Sequence, residues 1–468
     1  MGDLTNMTAT AVVAELKAGR LSPTEALDAA IARIEAVDRQ VNALPIRCFE
    51  RARDRARALE ASPETAGPLA GLPIAVKDYN DVGGVRTTYG SPIFADNVAA
   101  RSDATVGTLE ARGANPVAKS NVPEWAGGHT FNPVNGLTRN PWNLGRSAGG
   151  SSGGSAAALA SGQVWLATGN DLGGSLRTPA GFNGVVGMRP GPGVVPRGTR
   201  LPPFDALWVE GPMARTVEDV ALMLDAGAGA HPDDPLAFDP TVSFTQAAAR
   251  LMQPARIAFS PDLGVVPMAR EIAATAEGAM KRLASAGAEV TTEAPDFTGA
   301  LDAFQTLRAT LLGAMMGEMA ETERDRINPD IVQNVEKGFA VTPEALFEAE
   351  RTRHRLQANM AVFFETHDAL ICPTASIEPF PVETRYVTEI DGVPCETYID
   401  WFAITFAVTL TGCPVVSLPC GFTAAGLPVG VQVIGKPRGE AALLSIAKWI
   451  EAALNLPFGA PIDPRPAT

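Results

Sequence analysis

Histidine is nearly absent from this chain: His129, His231, His354 and His367 are the four it has in 468 residues. Chemistry built on an imidazole base therefore has few starting points, and the last three lie outside any motif. Cysteine is also scarce. The five are Cys48, Cys372, Cys395, Cys413 and Cys420. An odd number without CxxC spacing or a Cys/His cluster argues against a disulfide framework and against a thiolate metal site. Cys372, Cys413 and Cys420 sit in apolar, strand-like contexts and read as reduced core residues. No metal and no organic cofactor is expected. Basic residues are in the minority, with Lys and Arg at 38, Asp and Glu at 52, and a net charge of −14. That balance disfavours nucleic-acid and anionic-membrane partners and fits a solvated acidic surface. No stretch reaches the roughly 20 apolar residues of a membrane span. There is no apolar signal run near Met1, Asp3 stands where a basic region would be, and Asn6 blocks a myristoylation reading of Gly2. A cytoplasmic location is expected. Repeats and low-complexity segments are lacking too.

What the chain does have is a 46% hydrophobic composition and 45 glycines. Glycine and serine concentrate in RSAGGSSGGSAAALASGQVWLATGNDLGGSLR, residues 146–177. Two clusters, GGSSGG at 149–154 and GGS at 173–175, are joined by a small-residue helix and a short apolar strand. Runs of glycine mark places where backbone must come close to something. The connector lets serines from both clusters meet at one site. No Gly-Lys-Ser/Thr follows, so a phosphate loop is a poor reading.

In chain order, the first 60 residues read as helices, with Ser22-Pro23-Thr24-Glu25 as a capping box. A buried strand within 72–82, a helix at 103–113 and a strand at 116–120 give a β-α-β pattern. The loop from Ser120 to Arg146 is long and rich in Asn, Gly and Pro, as functional loops often are. A helix at 153–162 and strands at 164–168 and 185–190 follow. Residues 230–255, rich in Pro and Asp, read as a linker. Strands at 256–260 and 289–293 enclose a helix at 267–286. The stretch 300–365 reads as helical, strands follow at 414–420 and 429–435, and a helix at 438–454 closes the chain. This alternation predicts an α/β fold, with an α/β/α layered arrangement in a single large domain. The expected parts are N-terminal helices at 1–65, a core at 66–230, a helical insert at 300–365 that could form a lid, and a C-terminal part at 366–468 that completes the sheet.

Lys77 ends the apolar strand in LPIAVKD. It can be a snorkelling or salt-bridged lysine, or a base whose pKa burial lowers. GGSSG also fits the G-x-S-x-G elbow, but RNPWNLGRSA makes a poor preceding strand and a partner histidine is wanting. A serine nucleophile without histidine needs another base, and a desolvated lysine can serve.

At this point the sequence resembles the amidase signature family of serine hydrolases. The matching stretches are GLPIAVKD at 71–78, DATVGTLEARGANPVAKSNVPEWA at 103–126, TRNPWN at 138–143, GGSSGGSAAALASG at 149–162 and GNDLGGSLRTPAGFNGVVGMRP at 169–190. Weaker matches lie at 372–379 and 412–435. The resemblance implies a central mixed sheet covered by helices on both faces. It implies Ser175 as nucleophile, Ser151 as a bridging serine preceded by a cis peptide, and Lys77 as terminal base. The implied oxyanion hole is made of the N–H groups of Leu172, Gly173, Gly174 and Ser175, and the glycine pair suits such a backbone nest. Ser151 and Ser175 are expected to share a hydrogen bond.

Ser152 and Ser155 are implied supports. Asp171 and Arg177 should brace the nucleophile loop through charge-assisted hydrogen bonds. Trp125, Ala126, Gly127 and Gly150 align with substrate-binding positions, although Trp125 can equally be core. Asn170 stands where Thr is common, and Ser147-Ala148 replaces a usual Pro; both could reshape the loop. The implied activity is hydrolysis of a carboxylic amide with an aryl or apolar acyl part, with esters or carbamates as variants. The apolar face of 301–321 and the residues Trp401, Phe402 and Phe406 could line its cavity. A glutaminase subunit of a tRNA-dependent amidotransferase is the other implied reading. The expected partner is a small-molecule amide, and the expected assembly a monomer or homodimer.

Overall fold

Helices and short apolar strands assemble around one 11-stranded sheet in the computed structural model, which describes residues 4–126, 128–199 and 201–467. In chain order the strands are β1 (Ile46–Arg47), β2 (Pro73–Lys77), β3 (Asn115–Ser120), β4 (Leu166–Asp171), β5 (Val186–Arg189) and β6 (Val209–Ala214), then β7 (Arg256–Phe259), β8 (Glu289–Thr292), β9 (Ala369–Pro373), β10 (Val415–Phe422) and β11 (Pro428–Ile434). In space they run β1-β3-β2-β4-β6-β5-β10-β11-β9-β7-β8. The sheet is mixed: β2 is parallel to β3 and β4, while β6 is antiparallel to β4 and β5.

The two faces follow from the period-two alternation of a strand. Ile74, Val76, Ile257, Ile371 and Val416 point into one core, with the helices Ala9–Lys17, Val217–Gly227, Arg270–Ser285 and Glu440–Leu454. Ala75 and Ala167 point the other way, beneath the Pro23–Val41 and Gly153–Ala160 helices. Ala258, Leu370 and Cys372 face that second side further along, under Ala300–Thr322, Pro343–Phe363 and Ala403–Thr409. The Pro23–Val41 helix starts as its sequence dictates. Ser22 Oγ accepts from Glu25 N–H at 3.1 Å, and Glu25 accepts from Ser22 N–H at 2.9 Å.

Two expectations change. Residues 230–255 are not merely a linker: Phe244–Ala248 is a helix with Phe244 and Ala248 buried, and Asp225 accepts from the N–H groups of Phe244 and Thr245. Ser243 caps this helix, its Oγ accepting from Gln246 N–H at 3.2 Å, so a stretch whose Pro and Asp content reads as linker contains a capped helix. β6 has no counterpart among the expected strands, because VEGPMA carries a glycine and a proline inside a strand flanked on both sides. No helix among the described residues is long and apolar enough to cross a membrane. Both ends of the chain converge on Arg215. Its guanidinium donates to the carbonyls of Thr5 (3.0 Å), Met7 (2.5 Å), Val164 (3.4 Å) and Gly459 (2.8 Å).

Candidate active site

Because β2 and β4 are parallel neighbours, their C-terminal ends open at one edge of the sheet. Lys77 is the last residue of β2, and Asn170 and Asp171 close β4. Lys77 is fully buried, and its N–H donates to Thr168 Oγ1 at 2.8 Å, which locks the strand ends together. Its Nζ donates to Ser151 Oγ at 2.7 Å, Ser152 Oγ at 2.8 Å and Asn170 Oδ1 at 2.6 Å. The Tyr79 ring centroid lies 4.9 Å from Nζ. No ion pair holds Lys77 among the described residues, in contrast to Lys119, which meets Asp78 at 2.9 Å. Burial drives the Lys77 ammonium down to about 7, against the smaller opposing pull of Glu210 and Asp171. Burial, then repulsion from Asp103, raises the Glu210 carboxyl. A neutral Lys77 can accept the Ser151 proton directly.

Ser151 and Ser152 sit in the turn that opens the Gly153–Ala160 helix, after a cis Gly150–Ser151 peptide. A Cβ at Gly150 would lie 2.3 Å from the Gly128 carbonyl oxygen, so only glycine fits where the two loops meet. Ser155 lies one turn on and ties the helix to the sheet, at 2.7 Å from Ser120 Oγ and donating to the Thr168 carbonyl at 2.8 Å.

The loop after β4 carries Leu172, Gly173, Gly174 and Ser175. Asp171 organises it from below. Its carboxylate accepts from Gly174 N–H (2.8 Å), Leu176 N–H (3.1 Å), Arg177 Nε and Nη2 (both 3.0 Å) and Arg189 Nη1 (3.2 Å). Burial would raise the Asp171 carboxyl, but the two guanidinium groups outweigh it and hold it well below the usual range. This corrects one expectation. The Gly174 N–H is committed to Asp171, whereas the N–H groups of Leu172, Gly173 and Ser175 meet no protein acceptor among the described residues. Gly174 instead serves the close approach of the Ala403–Thr409 helix: at φ 126° its Cβ would lie 2.2 Å from Thr405 Oγ1, which donates to the Gly173 carbonyl at 2.7 Å.

A second correction concerns the serines. No hydrogen bond joins the Ser151 and Ser175 hydroxyls; the two turns are linked by Ser152 N–H donating to the Ser175 carbonyl at 3.2 Å. Ser175 is half-buried and borders a cavity with Gly150, Leu172, Phe304, Arg308, Trp401 and Phe402. No histidine among the described residues lines it. Phe406 lies underneath, stacked on Phe304 at 4.4 Å between ring centroids. Trp125 lines a different cavity with Tyr79, Tyr89, Asn170, Trp208, Glu210, Leu312, Met315 and Met316. Ala126 follows Trp125 in the chain; Gly127 lies outside the described residues.

Similarity to known proteins fits this geometry. A family model described as amidase matches residues 25–444. The chain belongs to the amidase signature family. It is an amide-hydrolysing enzyme of that family. It is 33% identical over 460 residues to an acylamidase of Rhodococcus erythropolis, covering 95% of each chain. It is 35% identical to a glutamyl-tRNA(Gln) amidotransferase subunit from Moorella thermoacetica, covering 92% of this chain and 93% of that one. Among solved structures it superposes on a bacterial aryl acylamidase of the amidase signature family with a TM-score of 0.89 and 28% identity, covering 96% of both.

Sequence reasoning misses several residues around this candidate site. Asn170 reads in the sequence as a loop-shaping variation, yet its side chain touches Lys77. Arg189, Glu210 and Arg308 belong to no expected constellation. Each is a charged residue inside an apolar run, the same signal that draws attention to Lys77.

Proposed function

We propose that Ser175 attacks the carbonyl carbon of a carboxylic amide while Ser151 takes its hydroxyl proton and passes its own to neutral Lys77. The negative charge that develops on the carbonyl oxygen is received by the N–H groups of Leu172, Gly173 and Ser175. As the C–N bond breaks, the proton returns through Ser151 to the leaving amine. Water then attacks the carbonyl carbon of the Ser175 ester while giving a proton to the same relay; the bond to Ser175 Oγ breaks, the relay returns that proton to Ser175, and the acid leaves. The observation that carries this reading is Lys77: buried, without an ion pair among the described residues, and 2.7 Å from Ser151 Oγ. Rotation of the Ser151 or Ser175 hydroxyl completes the relay once substrate is bound, as apo hydrogen bonds in active sites often tighten late.

The aromatic walls of both cavities, and Leu312, Met315 and Met316 beside Trp125, support an aryl or apolar substrate. Esters and carbamates pass through the same oxyanion. Residues of the Ala300–Thr322 helix line both cavities, which supports reading 300–365, with Pro329–Phe339 and Pro343–Phe363, as a helical insert that serves as a lid. A second reading, favoured by the Moorella relative, is a glutamine-hydrolysing component of an amidotransferase. Assay of the purified chain on amides, anilides, esters and carbamates separates the two. The first reading expects turnover without partners. Turnover of glutamine alone, and only with partner subunits, would replace it with the second.

A further inference from the structure

Arg308 sits one helical turn after Phe304 on the Ala300–Thr322 helix and borders the Ser175 cavity. It is 7% exposed. Nη1 donates to Asn334 Oδ1 at 2.6 Å and Nη2 to the Tyr398 hydroxyl at 2.7 Å. Both partners are neutral, and no carboxylate pairs with Arg308 among the described residues. The other deeply buried arginines are settled differently. Arg177 and Arg189 share Asp171, and Arg197 meets Asp205 and Asp234. Arg215 has no ion pair among the described residues but is taken up by four backbone carbonyls.

A guanidinium has five N–H donors in a planar fork, and Arg308 commits two. Burying a cation without a counter-charge costs several kcal/mol. A tie between Asn334 and Tyr398 does not need that charge, since a glutamine amide could make it. Asn334 and Tyr398 do hold the fork in place: Asn334 Nδ2 also donates to the Tyr398 hydroxyl at 2.9 Å and to the Asp330 carbonyl at 2.6 Å. The result is a pre-oriented cation at the wall of an aromatic cavity that also contains Ser175.

We propose that this pocket seats a carboxylate of the amide substrate on Arg308, so that the enzyme prefers amides whose apolar body ends in an anionic group. The inference rests on the hydrolase reading above. The carboxylate receives N–H donors that are uncommitted in the free protein and supplies the missing counter-charge. A planar fork suits a carboxylate better than a point charge would.

The test has a binding arm and a turnover arm. Calorimetry compares 4-phenylbutanoate with 4-phenylbutanol on the wild-type protein, on Arg308→Gln and on Arg308→Lys. The acid should bind wild type about 10- to 100-fold more tightly than the alcohol. Arg308→Gln should lose that preference, and Arg308→Lys should keep part of it. Equal binding of acid and alcohol to wild type overturns the proposal, and so does a preference that survives in Arg308→Gln. The wild-type comparison stands by itself if a variant fails to fold. The turnover arm compares kcat/KM for the anilide of succinate, which keeps a free carboxylate, with that for butyranilide. A higher value for the first, lost in Arg308→Gln, supports the subsite. Equal turnover of both overturns the subsite and leaves the hydrolase reading intact. Absence of turnover with either anilide and across the amide panel, alongside Arg308-dependent binding of the acid, defeats the hydrolase reading and leaves the anion site standing.

Discussion

At the scale of the residue, Lys77 should leave a signature in the pH profile. The proposed base acts only when neutral, and burial brings its pKa from the ordinary 10.5 to about 7. Activity should therefore be lost on the acid side and rise through about pH 7 as Lys77 gives up its proton; kcat/KM for an amide across pH 5–10 checks this. Lys77→Ala should lower the rate by about 10²–10⁴-fold, and combining it with Ser175→Ala should cost little beyond Ser175→Ala alone. Asn170 Oδ1 accepts from Nζ and so favours the charged form. Asn170→Leu should shift the acid limb to lower pH, whereas an unchanged limb would mean that Asn170 does not tune the base. Lys77 is legible in the sequence because a charge ending an apolar strand demands an explanation. The commitment of the Gly174 N–H to Asp171 is not, because a glycine-rich run does not reveal which amide points where.

At the scale of the element, the β4 loop depends on one carboxylate and two guanidinium groups. Asp171→Asn leaves Arg177 and Arg189 buried without counter-charge, and removing one partner of a buried ion pair costs about 3–5 kcal/mol. Urea unfolding should show that loss, together with loss of activity; a variant within about 1 kcal/mol of wild type would mean that other acceptors suffice. Phe304 and Arg308 sit by Ser175, and Leu312, Met315 and Met316 sit by Trp125, so the Ala300–Thr322 helix borders both cavities. If it works as a lid, its amides and those of Pro329–Phe339 should exchange faster than those of β4 and slow when substrate analogue binds. Equal protection in helix and strand, with no change on binding, would make it fixed wall. The helices of 300–365 are legible from helical spacing, but the placement of their apolar faces is not. The same residues serve as core and as cavity wall, and periodicity alone does not separate the two. β6 escapes notice for the opposite reason, since Gly211 and Pro212 mask a strand that pairing on both sides holds in place.

At the scale of the whole molecule, alternation of helix and strand conveys the layered fold, but the order of the strands does not follow from it. The long excursion that puts β10 beside β5, and so closes the second half of the chain on the first, appears only in three dimensions. Arg215 shows what that closure means for motion. The first described residues and the tail at Gly459 are far apart in sequence, yet they bond to the same guanidinium. This shared anchor couples the two segments, so that loosening one should loosen the other. Arg215→Met should speed amide exchange at residues 5–7 and at 459–462 together, and a bulky fusion at the C-terminal end should loosen the N-terminal segment that it never touches.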